Sequence, residues 1–128
     1  MIANEKSAPR LVSLFSGCGG MDKGFEQAGF QRVWANDFDK DAQAVFRLNF
    51  GEIDGRDIRK VPVDEIPACD ILTAGFPCQP FSNAGNRRGV YDSRGELYLE
   101  CLRIIESKLP RAVLFENVKG LISSKHQS

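Results

Sequence analysis

The feature that most constrains this chain is a short apolar run that ends in glycines and passes at once into helical spacing. Leu11 to Phe15 (LVSLF) is branched and apolar enough for a buried strand. Gly17, Gly19 and Gly20 follow, and Met21, Phe25 and Ala28 then recur at i, i+4 and i+7. Gly29 is placed as the left-handed cap of that helix. The unit then recurs. Arg32 to Asn36 (RVWAN) reads as a second strand, and Asp39 as the N-cap of a helix whose face carries Ala42, Val45, Phe46 and Phe50. Gly51 stops it. Gly55 to Pro67 reads as turns, and Cys69 to Ala74 as a third buried strand. Gly75 to Asp92 is long, lacks helical periodicity and reads as a functional loop. Ser93 and Glu96 form a capping box ahead of a helix face of Leu97, Cys101, Ile105 and Leu109, which Pro110 ends. Ala112 to Phe115 is the last strand, with Glu116 and Asn117 at its C-terminal end. Alternating strands and helices imply parallel pairing with right-handed crossovers, hence an α/β, doubly wound parallel sheet. Ligands in such sheets bind beyond the carboxyl ends of the strands.

Charge and cysteine content narrow the function classes. Lys plus Arg is 17 and Asp plus Glu is 17, so the net charge is zero. That excludes binding through a large uniform positive field and leaves a local basic patch open. The 128 residues suit one domain, with 1–9 as a polar tail and 10–128 as the folded part. No apolar run approaches the roughly 18 residues that span a membrane, and Met1 to Arg10 holds no secretory apolar stretch. Cys18, Cys69, Cys78 and Cys101 show no Cys-x-x-Cys spacing, and His126 is the single histidine. The expectation is no metal site and free thiols in a cytoplasmic setting.

Four groups of residues can carry chemistry. In the first, Phe15-Ser16-Gly17-Cys18-Gly19-Gly20 joins strand to helix, and Asp37 ends the next strand. Glycines admit close backbone approach, and an acid about 20 residues on can accept from ribose hydroxyls. Asp22 stands where a dinucleotide fingerprint has its third glycine, so a nucleoside cofactor without phosphates fits better. The glycines would equally serve tight strand–helix packing alone. In the second, Cys78 follows a strand end within Gly75-Phe76-Pro77-Cys78-Gln79-Pro80-Phe81-Ser82. It is either a nucleophile with a stabilised thiolate or an inert thiol. Cys18 reads as a space-filler, and Cys69 and Cys101 as core residues. In the third, Glu116 emerges from a buried strand, partly desolvated, with its pKa raised toward acid duty. A helix cap or surface ion pair is the plainer role. If strands are adjacent, Cys78 and Glu116 share one crevice. The fourth is basic: Arg87, Arg88, Arg94, Lys119 and Lys125. These are either ordinary surface charges or phosphate contacts.

Taken in order, FSGCGG, GFPCQPFS and ENV resemble the cytosine-5 DNA methyltransferase family, from Leu11 to about Leu121. The resemblance implies a Rossmann-like, S-adenosylmethionine-dependent fold, and duplex DNA presenting a flipped-out cytosine. Cys78 would be the nucleophile on carbon 6 of the base, and Glu116 the acid at ring nitrogen 3. Phe15, Gly17 and Gly19 would cradle the cofactor, Asp37 its ribose, Phe38 its adenine face, and Asp57 and Ile58 the adenine edge. Pro77 and Leu97 would line the pocket. Ser82 and Arg94, with Arg87 and Arg88, would meet DNA. The family often has Glu where Asp37 stands.

Members of that family also continue further, with an arginine segment at the base, a target-recognition domain and a late strand and helix. The resemblance therefore implies an incomplete methyltransferase domain: a truncated, split or fragment form, inactive alone and needing a second polypeptide. A restriction-modification role follows by family. Competing readings are a non-catalytic cofactor-binding remnant, an RNA cytosine-5 methyltransferase of the same family, and an unrelated nucleotide-dependent thiol enzyme.

Overall fold

The computed structural model describes residues 7–76 and 87–116, with 87–94 as backbone alone. Its elements are β1 (Arg10–Leu14), α1 (Gly20–Gln27), β2 (Gln31–Asn36), α2 (Lys40–Phe50), β3 (Ile71–Gly75), α3 (Arg87–Lys108) and β4 (Ala112–Glu116). Two 3-10 turns, Ile58–Lys60 and Val63–Glu65, lie between α2 and β3. All three strand pairs are parallel, in the order β2-β1-β3-β4. This is the α/β parallel sheet expected from the strand–helix alternation. The chain moves outward from β1 to β2, crosses back to β3, and moves outward again to β4. The order thus reverses between β1 and β3, the position beyond whose strand ends such sheets bind their ligands.

Alternation along β1 and β3 sorts the two faces of the sheet. Val12, Leu14, Leu72 and Ala74 join Cys101 and Ile104 of α3, together with Ile58, Val61 and Ile66. Ile104 is fully buried, so truncation to alanine there costs about 2–5 kcal/mol. Ser13 and Thr73, also buried, face the other way, and Ser13 Oγ donates to Asp22 of α1 at 2.8 Å. A second cluster of Ala35, Phe46 and Ile53, with Phe50 beside it, seats α2 against the end of β2.

Several local expectations change. α3 begins at Arg87, so Ser93 lies inside the helix and does not cap it. Once started, a helix gains one hydrogen bond per added residue, and Arg87 to Asp92 contains no proline to stop it. Among the residues whose side chains are described, α3 meets the core from Leu97 onward. On α2, Val45 is exposed and Gln43 points inward. The Gln43 amide donates to the carbonyls of Asp37 (2.9 Å) and Gly55 (3.4 Å), satisfying main chain that the apolar pattern ignores.

Candidate functional site

The ends of β1 and β2 are tied together by the glycine loop. Phe15 leaves β1 with φ 52, and Gly17 and Gly19 follow at φ 58 and φ 93. The Gly19 N–H donates to the Ser16 carbonyl at 3.1 Å, closing the turn. The Ser16 N–H donates to the Asn36 carbonyl at 3.1 Å, tying the turn to β2. Asp37, the next residue, accepts from the Gly17 N–H at 2.7 Å and from the Asp39 N–H at 2.8 Å. Asp39 in turn caps α2, accepting from the Ala42 N–H at 2.8 Å. A carboxylate offers about four acceptor positions, so Asp37 retains capacity for hydroxyl groups. Phe38 beside it is 68% exposed.

The two loop glycines differ. A Cβ on Gly17 would meet nothing within 4 Å, so this backbone faces open space. A Cβ on Gly19 would lie 2.2 Å from the Phe50 ring. Close packing on α2 therefore demands the glycine at Gly19. Cys18 between them is exposed and fills no space, because the turn projects it outward.

The ends of β3 and β4 form the other half of the edge. These strands are adjacent, with Gly75 opposite Glu116. A Cβ on Gly75 would stand 3.3 Å from the Phe15 carbonyl oxygen and 3.4 Å from Glu116 Oε2. The Glu116 carboxylate thus lies over Gly75, beside the end of β1. Glu116 is exposed, so the desolvation expected of it is not found. The cause is that β4 is the outermost described strand, with Ala112, Val113 and Leu114 exposed too. Phe15 stacks on Phe76 at 5.5 Å, and Phe76 meets Phe115 at 5.6 Å and Tyr98 at 6.5 Å. This aromatic floor eluded the sequence analysis, because its members come from four separate elements. Across the sheet, Asp37, Phe15, Gly75 and Glu116 run along one edge. Three strand spacings make it roughly 14 Å long, enough to seat two ring-bearing groups side by side.

The segment after α2 is tied to the end of β2. The buried Asn36 carboxamide donates to the carbonyls of Asp54 (2.9 Å) and Arg56 (2.7 Å), drawing residues 54–57 to the edge. Its signal is an amide ending an apolar strand. Asp57 caps the first 3-10 turn, and the Arg59 guanidinium beside it holds its carboxyl below the ordinary range. Ile58 is 2% exposed, its side chain in the core, so it offers only main chain. Leu97 of α3 packs half-buried against the same core. Pro77, Cys78 and Ser82 lie outside the described residues, as do Lys119 and Lys125. Arg87, Arg88 and Arg94 sit in the first turns of α3.

Three further titratable groups complete the picture. Asp22 is 1% exposed under the glycine loop, and Oδ2 finds no hydrogen-bond partner among the described residues. Arg32 Nε approaches to 4.0 Å, but burial wins and pushes the carboxyl up. Burial also pushes the Cys69 thiol up, and the Cys101 thiol up to about 12, so neither supplies a thiolate.

A profile of C-5 cytosine-specific DNA methylases matches residues 9–128. The type II methyltransferase M.NgoFVII of Neisseria gonorrhoeae is 45% identical over 125 residues, covering 94% of this chain and 33% of that relative. M.HhaI of Haemophilus parahaemolyticus is 46% identical over 114 residues, covering 89% of this chain and 35% of that one. Among solved structures, an E. coli prophage protein described as a DNA modification methyltransferase superposes with TM-score 0.76 at 29% identity. That match covers 93% of this chain and 34% of the other. The S. pombe Dnmt2 methyltransferase gives TM-score 0.68 at 30% identity, over 91% of this chain and 38% of that one. The chain spans about a third of the length of the curated relatives it matches. With that span matched by sequence, and with a parallel sheet whose strand ends gather FSGCGG and the glutamate of ENV, the chain belongs to the C-5 cytosine-specific DNA methylase family.

Proposed function

We propose that this chain is the cofactor-binding and base-activating part of a DNA cytosine-5 methyltransferase of the restriction-modification kind, acting in the cytoplasm on duplex DNA. The observation that carries the reading is the Gly17–Asp37 pair, which faces open space at one end of an edge whose other end is Glu116. The residues fit S-adenosylmethionine. Gly17 admits its close approach, Asp37 has spare acceptor positions for ribose hydroxyls, and Phe38 offers an exposed ring to adenine. Asp57 and the Ile58 main chain supply an acceptor and a donor for the adenine edge, with Phe15, Gly19, Pro77 and Leu97 completing the pocket. When bound, the cofactor supplies an electrophilic methyl group.

The chain's own residues then prepare the base. The Cys78 thiolate adds to carbon 6 of a flipped-out cytosine, while the Glu116 carboxyl holds and protonates ring nitrogen 3. This makes carbon 5 a nucleophile, and covalent addition splits one hard step into easier ones. After methylation, carbon 5 gives its proton to solvent water, the bond to Cys78 breaks to release the thiolate, and ring nitrogen 3 returns its proton to the Glu116 carboxylate, restoring the ring. Ser82, Arg87, Arg88 and Arg94 serve phosphate contacts. Flipping costs a few kcal/mol, and a chain of zero net charge draws no general attraction to the duplex. Transfer is therefore proposed to require the remaining two thirds found in the relatives.

The test mixes the chain with the C-terminal part of a relative such as M.HhaI, S-adenosylmethionine and DNA containing 5-fluorocytosine. Fluorine cannot leave as a proton does, so the adduct is trapped. The expected adduct is lost in Cys78→Ser and kept in Cys69→Ser and Cys101→Ser. An undiminished adduct in Cys78→Ser overturns the nucleophile assignment.

A further inference from the structure

The turn that carries Asp57 and Ile58 is gripped by α3 at two points. Arg103 donates to the carbonyls of Ile58 and Val61, each at 3.0 Å, while Glu100 accepts from its Nε at 2.5 Å. Nearer the start of α3, Glu96 accepts from Arg59 Nη1 at 2.9 Å. The rest of that guanidinium holds both oxygens of Asp57, with Nη2 at 2.7 Å and Nε at 3.0 Å and 3.1 Å. Glu96, Glu100 and Arg103 are spaced i, i+4 and i+7, so one helix face makes both grips. Beneath the turn, the side chains of Ile58 and Val61 are buried in the core. The Asp57 side chain keeps 13% of its surface exposed beside Arg59, next to the main chain of the turn.

We propose that Arg103 and Arg59 are positioning residues for base recognition. They fix the Asp57–Ile58 turn so that a carboxylate acceptor and a main-chain donor meet the amino group and ring nitrogen of adenine. The inference rests on the cofactor reading above. Arg59 and Glu96 are half exposed, and exposed ion pairs add little stability. Their contribution is geometric. The fork geometry of arginine matters here, because it holds both Asp57 oxygens at once and a lysine ammonium does not. Arg59 also keeps Asp57 ionised, hence an acceptor only.

The test compares two probes, S-adenosylhomocysteine and S-inosylhomocysteine, binding to the full chain by calorimetry. Inosine reverses the pattern, with a carbonyl for the amino group and a protonated ring nitrogen. The unsubstituted chain is expected to prefer the adenine probe at least tenfold. Arg59→Gln and Arg103→Gln are each expected to cut that preference by about threefold or more. Asp37→Ala is expected to weaken both probes alike and leave the preference intact. Should Arg103→Gln fail to fold, the exposed Arg59→Gln decides. A chain that binds neither probe, or both equally, overturns the adenine reading and this inference with it. A chain that prefers adenine, and keeps the full preference in Arg59→Gln, overturns the positioning role alone.

Discussion

Glu116 stands directly opposite Gly75 in the parallel β3–β4 pair, and its Oε2 lies 3.4 Å from where a Gly75 side chain would begin. That separation is ordinary van der Waals contact, and the tighter limit at Gly75 is the Phe15 carbonyl. Gly75→Ala would press on the Phe15 carbonyl at 3.3 Å. The backbone oxygen cannot swing aside as a side chain would. The expected cost is about 1–3 kcal/mol, read as a lower urea midpoint with unchanged slope.

Gly17 and Gly19 should separate binding from stability. Gly17→Ala puts a methyl group into open space at φ 58. It should cost about 1 kcal/mol of stability while blocking close approach of the cofactor. Gly19→Ala drives a methyl group into the Phe50 ring at φ 93. It should unseat α2 and lower the melting temperature much more. Thermal unfolding and cofactor titration of the two variants check this contrast.

Asp22 makes stability depend on pH in an unusual direction. Burial raises its carboxyl above the ordinary 3.8, so the folded chain keeps this proton to higher pH than the unfolded chain. Stability from this group is full below its ordinary value and is lost as pH rises through the raised one. Asp22→Asn carries no such proton and can still accept from Ser13. The variant is therefore expected to gain stability relative to the parent from about pH 4 to pH 7. Urea midpoints across that range check the sign.

The sheet was legible because each strand is a short apolar run and each glycine or capping residue marks a boundary. Asp39 caps α2 and Gly29 takes a left-handed φ, as their types require. The early start of α3 was not legible, since Arg87 to Arg94 has no apolar face to signal a helix. The exposure of Glu116 depends on what lies beside β4, which local pattern does not encode. Gly17, Asp37 and Glu116 could be chosen from residue type and position alone. Arg59 and Arg103 could not, because a surface arginine looks the same whether it holds solvent or a neighbouring turn.

The most direct measurement is calorimetric titration of the 128-residue chain with S-adenosylmethionine. The proposed cofactor contacts in this chain are mainly the glycine loop, Asp37 and Asp57, so weak binding is expected, with a dissociation constant on the order of tens of micromolar or higher. Asp37→Ala removes the acceptor that joins the Gly17 loop to the ribose position, and should weaken binding about tenfold or more, equivalent to about 1.4 kcal/mol. Cys78→Ser should leave it unchanged, since that residue is assigned to the base. Binding that persists undiminished in Asp37→Ala, or that disappears in Cys78→Ser, would contradict the account.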